Sequence, residues 1–301
     1  AGTYYIGIHA YPASSGLTLN VTLTSSNRCG TGTGSNDWIN CRSNTTPTGR
    51  TVSAEQSNYA TWFSYHRSRM KAAKAGASEA FDGLDGKVRA GFRTIWGRNT
   101  FNIPVSDGND GRFVDNPDNP TTLLVNEATT SRSTWYSRLH NAIGYNGTPL
   151  RKALDDAGSY FQRTDAAGPY GPQSINQYAC RQNFSILTTD GYWNDAAAST
   201  ATGNVDDTAR SAITGPNNQS FTYTAEAPFR DGHSNTLADV AMYYWNRDLR
   251  TDLDNIVPSS TANPAFWQHM VTFGISIGLR GELPYSSVAD VHAAGTFNWP
   301  E

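Results

Sequence analysis

The most constraining feature of this chain is an apolar, β-branched run that ends abruptly in a carboxylate, at residues 183–193. The run predicts a buried strand, and the Asp-Gly pair that follows it predicts a turn. Asp190 then lies at the carboxyl edge of that strand. In open α/β sheets ligands and metals bind at this edge, because strand ends and helix N-termini converge there. The sequence therefore predicts an α/β fold with a candidate site at Asp190.

A second candidate ligand is Thr148, which stands before Pro149 and a helix-forming segment. Proline is favoured in the first turn of a helix, so the pattern predicts a loop threonine at a helix N-terminus. Both residue types also have ordinary structural uses, since threonine caps helices and Asp-Gly ends strands. Taken singly each motif favours the structural use, whereas together they make a shared site worth testing.

Charge and composition exclude some classes of function. The net charge is -3 and the isoelectric point about 6.1, so the chain offers no basic footprint for nucleic acid or an anionic membrane. No apolar run approaches the roughly 20 residues of a membrane span. The 15 tyrosines and 8 tryptophans, with abundant Ser, Thr and Asn, are typical of extracellular proteins. The chain begins without Met or signal-peptide architecture, which predicts a mature or excised segment.

The three cysteines predict one disulfide. Cys29 and Cys41 flank a loop rich in Gly and Ser that cannot build its own core. A disulfide closing a loop of this size would contribute about 3 kcal/mol in the chain-entropy model. Two free thiols would be unusual in an oxidising compartment. We expect Cys180, just before the Asp190 strand, to be a buried thiol or to pair with sequence outside this chain.

Hydrophobic periodicity predicts two regions. Residues 1–50 indicate a β-rich, disulfide-bearing segment, and residues 51–301 an α/β domain with a polar insertion at about 194–235. Because helices alternate with apolar strands, we expect a mostly parallel sheet covered on both faces. The predicted helices span residues 57–81, 149–161 and 236–249, and the predicted strands span residues 88–96, 183–189 and 269–277. The first helix is expected to bury Trp62, Phe63 and Met70 and to leave Arg67 and Lys74 in solvent.

The sequence lacks two common enzyme motifs and offers one candidate calcium loop. It contains no P-loop and no His-Glu-x-x-His pattern. The acidic loop from Asp107 to Asp118 could bind Ca²⁺ through clustered oxygens, but it does not fit the EF-hand spacing. Such clusters of Asp, Asn and Gly are more often simply turns.

Six segments in order resemble one known family, the PilC/PilY type IV pilus tip and biogenesis proteins, in their N-terminal von Willebrand A region. The matching segments are Asn58–Met70, Gly147–Leu154, Cys180–Trp193, Asn235–Trp245, Asp252–Pro258 and Trp267–Phe273. The resemblance implies a three-layer, Rossmann-like von Willebrand A domain, with a mostly parallel sheet and helices on both faces. The β-rich N-terminal segment then forms part of an insertion in that domain.

The resemblance also implies a metal-ion-dependent adhesion site built from three loops. Thr148 matches the second-loop threonine and Asp190 the third-loop aspartate. The first loop, Asp-x-Ser-x-Ser, is missing, because no Asp in this chain is followed two positions later by Ser. A divalent cation such as Mg²⁺, Mn²⁺ or Ca²⁺ is therefore expected to bind this chain weakly or not at all.

The function implied by the resemblance is that of an extracellular binding module at a pilus tip or bacterial surface, not an enzyme. It would support pilus assembly, surface attachment or mechanosensing, with minor pilins and a host or abiotic surface as partners. The residues leave two alternative functions open. One is a structural stalk segment without metal. The other is a secreted hydrolase, which would need a second carboxylate roughly 5–10 Å from the first.

Overall fold

The computed structural model describes residues 49–276, except 98, 107–108, 116–130, 166, 172–176 and 195, together with residue 290. It divides into two compact units, residues 1–65 and 66–301. The helices are α1 Val52–His66, α2 Arg69–Asp82, α3 Ser131–Asn141, α4 Leu150–Phe161 and α5 Leu237–Trp245. The strands are β1 Val105–Ser106, β2 Asn109–Asp110, β3 Asn183–Thr189, β4 Ile213–Thr214, β5 Ser220–Phe221 and β6 Met270–Ser276. Cys29, Cys41 and nearly all of the predicted N-terminal segment lie outside the described residues, so those expectations stay predictions.

Helix α1 forms most of the described part of the first unit. Its Tyr59 ring stacks on Trp62 at 5.8 Å between centroids, and Trp62 is 40% exposed. The chain then breaks before α2, because Ser68 has an extended backbone and its hydroxyl accepts a hydrogen bond from the Lys71 amide at 3.3 Å. A serine in this conformation starts a new helix. The prediction of one helix over 57–81 with a buried Trp62 is therefore wrong, and Met70 is exposed as well.

Helix α2 joins α3 through a lysine. The Lys74 ammonium donates to the carbonyl oxygens of His140 and Ala142, at 2.7 and 2.6 Å, at the C-terminal end of α3. A cation is favourable there because the last carbonyls of a helix lack partners and carry partial negative charge. Lys74 therefore links two helices, and the expectation that it faces solvent is wrong.

The predicted strand over 88–96 is also wrong. The structure shows an isolated antiparallel bridge between Phe92 and Phe101 instead of a regular strand. The segment is shaped by an aromatic cluster centred on Trp135 of α3, whose ring stacks on Phe81 at 4.2 Å and meets Phe113 edge-on. These packing contacts are long-range, so local periodicity does not reveal them.

The centre of the second unit is the parallel pair β3 and β6. The two strands pair in register from Asn183 with Met270 to Thr189 with Ser276, which confirms both predicted strands and their parallel direction. Helices α4 and α5 pack on each other and against these strands. Their shared core holds seven buried side chains: Leu154, Phe161, Ala201, Val240, Tyr244, Leu249 and Met270. The α/β class is confirmed, while the von Willebrand A assignment stays a prediction.

The opposite face of this pair is open within the described residues. Phe184 and Ile186 of β3 and Phe273 and Ile275 of β6 alternate with the residues that face the helices, and each is about half exposed. The described helices thus cover one face of the pair, and the expected cover on both faces is not seen in this part of the chain. No described helix is both long and apolar enough to cross a membrane.

The polar insertion packs against α4 and α5, and its described residues form the short strands β4 and β5 but no α-helix. Asp155 of α4 accepts hydrogen bonds from the backbone amides of Ser199, Thr200 and Ala201, at 2.8 to 3.0 Å. At the other end, Thr236 and Asp239 form a reciprocal capping box at the start of α5, next to the predicted helix start at residue 236. Buried polar contacts therefore hold a segment whose composition alone indicates a loop.

Candidate functional site

The predicted ligand Asp190 follows β3 directly and is exposed. The strand ends in a tight turn, where the Thr189 hydroxyl bonds to both the amide and the carbonyl group of Gly191. The Asp190 carboxylate pairs with the Arg69 guanidinium at 3.3 Å, and the same nitrogen donates to the Asp190 carbonyl oxygen at 3.2 Å. The carboxylate thus already holds a cation, supplied by the first turn of α2.

The predicted ligand Thr148 lies in the loop before α4. Pro149 occupies the N-cap position of α4, and no side chain caps the helix. The structural interpretation of Thr148 as a helix cap is therefore wrong. Its hydroxyl makes no hydrogen bond to any residue that the structure describes. The hydroxyl is therefore free within that part of the chain to bind a ligand.

A single asparagine joins the two candidate loops. The Thr148 amide donates to the Asn194 side-chain oxygen at 2.5 Å, and the Asn194 amide donates to the Thr148 carbonyl oxygen at 3.3 Å. Asn194 follows Asp190 in the same loop, so these bonds hold Thr148 against the loop that begins with Asp190. The sequence prediction missed Asn194 and Arg69, since neither lies in a motif that marks it.

The donor set suits a hard cation but is small. A hydroxyl and a carboxylate are the oxygen ligands that Mg²⁺ and Ca²⁺ prefer. The carboxylate is paired with the Arg69 guanidinium, so a metal ion would have to displace this arginine. Among the described residues no group of three or more His, Cys, Asp or Glu side chains could hold a metal ion. Tight binding would therefore need further ligands.

Exposed aromatic residues surround these loops. Tyr192 and Trp193 follow Asp190, and Tyr192 is 71% exposed. The Arg151 guanidinium of α4 lies over the Trp193 ring at 5.7 Å, a cation–π contact that orients the indole. Ile143 and Tyr145, in the loop that leads to Thr148, are exposed as well. Aromatic side chains are enriched in contact surfaces, so the two loops present a suitable one.

Three curated proteins of Pseudomonas aeruginosa are similar to this chain, and all three are named Type IV pilus biogenesis factor PilY1. The protein of strain PAK is 34% identical over 275 residues, which is 82% of this chain and 22% of the relative. Those of strains PAO1 and UCBPP-PA14 are 33% and 32% identical over 84% and 78% of this chain. The resemblance to PilY1-type proteins is confirmed.

The chain spans about a fifth of the length of these PilY1 relatives, as 22%, 23% and 20% of each is covered. No family model matches the chain, and no solved structure matches it. Several segments that carried the resemblance are the ones that build the site in the structure. Gly147–Leu154 contains Thr148, Cys180–Trp193 contains Asp190, and Asn58–Met70 contains Arg69.

The remaining predicted site residues fall outside this arrangement. Cys180 is free and exposed in the turn before β3, so the expectation of a buried thiol is wrong. Pairing of Cys180 with sequence outside the chain stays a prediction. In the acidic loop, residues 107–108 and 116–130 lie outside the described residues, and Asp115 lies 4.0 Å from the Arg132 guanidinium. The Ca²⁺ alternative there stays untested.

The described carboxyl group with the most raised pKa is at Asp206, which belongs to neither candidate loop. Burial raises the pKa of Asp206 to about 6; the Asp231 amide that donates to it acts in the opposite direction, and the Asp239 carboxylate adds to the rise. A raised carboxyl pKa is a feature of hydrolase acids. Asp206 is only 1% exposed, however, so no substrate reaches it in this conformation. We interpret it as a buried acid that costs stability.

We expect Asp206→Asn to stabilise the protein by about 1–2 kcal/mol at about pH 7.5 and to have little effect at about pH 4.5. The pKa of Asp206 is higher in the folded state than its unfolded value of 3.8. Between pH 3.8 and about 6 the folded protein therefore holds a proton that the unfolded chain has lost. Wild-type stability from this group therefore rises as the pH falls through about 6. Urea unfolding of both proteins at the two pH values measures the difference. An equal difference at both would contradict the assignment.

Proposed function

We propose that this chain is a binding module of an extracellular type IV pilus biogenesis protein, placed at the pilus tip or bacterial surface. The observation that carries the proposal is the junction of the Thr148 and Asp190 loops through Asn194, beside exposed aromatic side chains. The name shared by the three PilY1 relatives supports the pilus role. Minor pilins and a host or abiotic surface are the partners that this role requires.

The proposed module uses a divalent cation at the junction. The Thr148 hydroxyl and the Asp190 carboxylate would hold the ion, and the full-length protein would supply the further oxygen ligands that near-octahedral Mg²⁺ requires. A cation bound there with an open position would take a carboxylate or another oxygen group of the partner. The aromatic residues Tyr192 and Trp193 would add apolar contact around that central polar bond.

The test is a metal titration of the full-length protein. Asp190→Ala is expected to abolish Mg²⁺ or Mn²⁺ binding measured by isothermal titration calorimetry, while circular dichroism shows an unchanged fold. Asp190 is exposed and its ion pair is worth at most about 1 kcal/mol, so stability should change little. The matched control is Asp165→Ala, which removes another exposed carboxylate paired with an arginine, Arg163.

The outcomes separate the alternatives. Unchanged metal affinity in Asp190→Ala would move the site elsewhere, first to the loop from Asp107 to Asp118. Absence of metal binding in the full-length wild-type protein would favour a structural stalk. If metal binding is lost, bacteria carrying Asp190→Ala should show reduced surface attachment, and a count of their surface pili tells whether assembly or attachment has failed.

A further inference from the structure

Two arginines lie near each other at the C-terminal end of α5. The Arg247 guanidinium carbon lies 3.1 Å from the centre of the Tyr243 ring, and its Nε donates to the Tyr243 carbonyl oxygen at 2.7 Å. Arg210 belongs to the polar insertion, and its amide donates to the Tyr223 carbonyl oxygen at 3.1 Å. The Tyr223 ring meets the Trp245 indole edge-on, with 6.2 Å between centroids. The insertion thereby brings Arg210 close enough for its charge to act on Arg247.

Neither arginine has a counter-ion among the residues that the structure describes. Both are partly buried, yet no described carboxylate forms an ion pair with either guanidinium. Apart from Nε of Arg247, their side-chain nitrogens have no hydrogen-bond acceptor in the same part of the chain. Three acids add to the rise that burial causes in the pKa of Tyr223, but none of them pairs with either arginine; they are Asp206, Glu226 and Asp207.

This pair of positive charges is electrostatically unfavourable by itself, because partial burial removes water that would stabilise them. Burial lowers the pKa of the Arg247 guanidinium from its ordinary value of 12.5 to about 10; Tyr243 acts in the opposite direction, and the Arg210 charge adds to the fall. By contrast, the buried Arg250 is paired with Asp252 at 2.7 Å. An anion bound between Arg210 and Arg247 would supply the compensation that Arg250 already has.

A phosphate group matches this pair in charge and in geometry. It carries about two negative charges at neutral pH, and its oxygens accept parallel hydrogen bonds from the planar guanidinium fork. We propose that Arg210 and Arg247 bind a phosphate-like dianion at the C-terminal end of α5. Nε of Arg247 satisfies a helix carbonyl oxygen whose partial negative charge would otherwise repel the anion. Its two terminal nitrogens and the Arg210 guanidinium bind the ligand.

The test is calorimetric titration of the full-length protein with sodium phosphate, at about pH 7.5 and constant ionic strength. Wild type is expected to show saturable binding. Arg210→Gln and Arg247→Gln should each weaken it about tenfold or more, because each removes charge-assisted hydrogen bonds to the anion. Arg230→Gln, at an exposed arginine of the same insertion, controls for the change in net charge and should stay within about twofold of wild type.

The Arg210 variant keeps the test separate from the stability of α5. The Arg210 side chain donates no hydrogen bond to a described residue, whereas Arg247 also bonds to the end of the helix. Circular dichroism checks that both variants are folded. Because Thr148 and Asp190 take no part in this site, loss of metal binding in Asp190→Ala and loss of phosphate binding in Arg210→Gln are independent results.

Other ligands define the chemistry of the site. Sulfate, also a dianion, should compete with phosphate, whereas acetate carries one charge and should bind at least about tenfold more weakly. Glycerol 3-phosphate carries the same phosphoryl group on a carbon chain. Affinity equal to that of phosphate supports a site for phosphorylated molecules, and much weaker binding supports a site for the free ion.

The remaining outcomes decide the proposal. Weaker phosphate binding in both glutamine variants, with Arg230→Gln unchanged, supports the site. Absence of saturable binding by wild type overturns it, as does equal affinity in wild type and Arg210→Gln. Loss of the same size in Arg230→Gln would show attraction by net charge alone and would overturn the site as well. Acetate that binds as tightly as phosphate would overturn the preference for a dianion.

Discussion

Asp155→Ala is expected to lower the free energy of unfolding by about 3–5 kcal/mol, one of the two largest losses that we expect from a single substitution. The carboxylate is 1% exposed and holds the insertion on α4. It accepts hydrogen bonds from the amides of Ser199, Thr200 and Ala201 and from the Tyr244 hydroxyl at 2.8 Å. Alanine would remove the acceptor that these four donors share, and the Ala201 amide and the Tyr244 hydroxyl would lose it in the buried core. Urea unfolding monitored by circular dichroism measures the loss.

The neighbouring residue is the matched control for Asp155. Asp156 is partly exposed and pairs with Lys152 and Arg93, so Asp156→Ala should cost at most about 1 kcal/mol. A similar loss of unfolding free energy in the two variants would show that the hydrogen bonds to Asp155 stabilise the protein no more than the ion pairs of Asp156 do. Loss of stability confined to Asp155→Ala would confirm that the insertion is anchored at this point.

The pH dependence gives a second measure of the same carboxylate. Burial acts to raise the pKa of Asp155, but hydrogen bonds from Thr200, Ala201, Tyr244 and Ser199 outweigh it, and the pKa is lowered. The stabilisation from Asp155 is therefore fully present above the unfolded value of 3.8 and is lost as the pH falls through the lower folded value. The wild-type protein and Asp155→Ala should converge in stability only in strong acid.

Local patterns predicted the central elements well. The apolar run that ends at Asp190 is β3, and the segment after Pro149 is α4, since each carries strong periodicity and a clear end signal. The parallel direction of β3 and β6 followed from the alternation of helices and strands, whereas their direct pairing is a finding of the structure. The same reasoning predicted one helix where the structure has α1 and α2. Ser68 separates them because its backbone is extended, and the amphipathic pattern does not reveal that conformation.

The parts of the site that were missed depend on contacts distant in sequence. Arg69 contacts Asp190 across 121 residues, and Asn194 contacts Thr148 across 46. Neither residue type marks its role locally, since exposed arginines and loop asparagines are common. The resemblance to the pilus proteins indicated Thr148 and Asp190, whereas the tertiary structure added the cation and the amide that connect them.

Gly158→Ala is expected to destabilise the protein by about 3 kcal/mol or more, because α4 and α5 meet at this glycine. A β-carbon added at Gly158 would lie 2.3 Å from ring carbons of Tyr244, well inside contact distance. Tyr244 cannot move aside cheaply, since its hydroxyl bonds to Asp155 and lies 3.0 Å from the Ser159 hydroxyl. The clash would push α5 away from α4 and weaken the anchor of the insertion as well.

Helix α2 offers the matched glycine. A β-carbon at Gly76 meets nothing within 4 Å, so Gly76→Ala should stabilise the protein by about 0.5–1 kcal/mol through helix propensity alone. Both substitutions make the same chemical change inside a helix, so opposite signs in thermal unfolding isolate the packing of α4 on α5. If Gly158→Ala were as stable as wild type, the close crossing of these helices would be wrong. The anchoring of the insertion through Asp155 and Tyr244 would then need a different geometry.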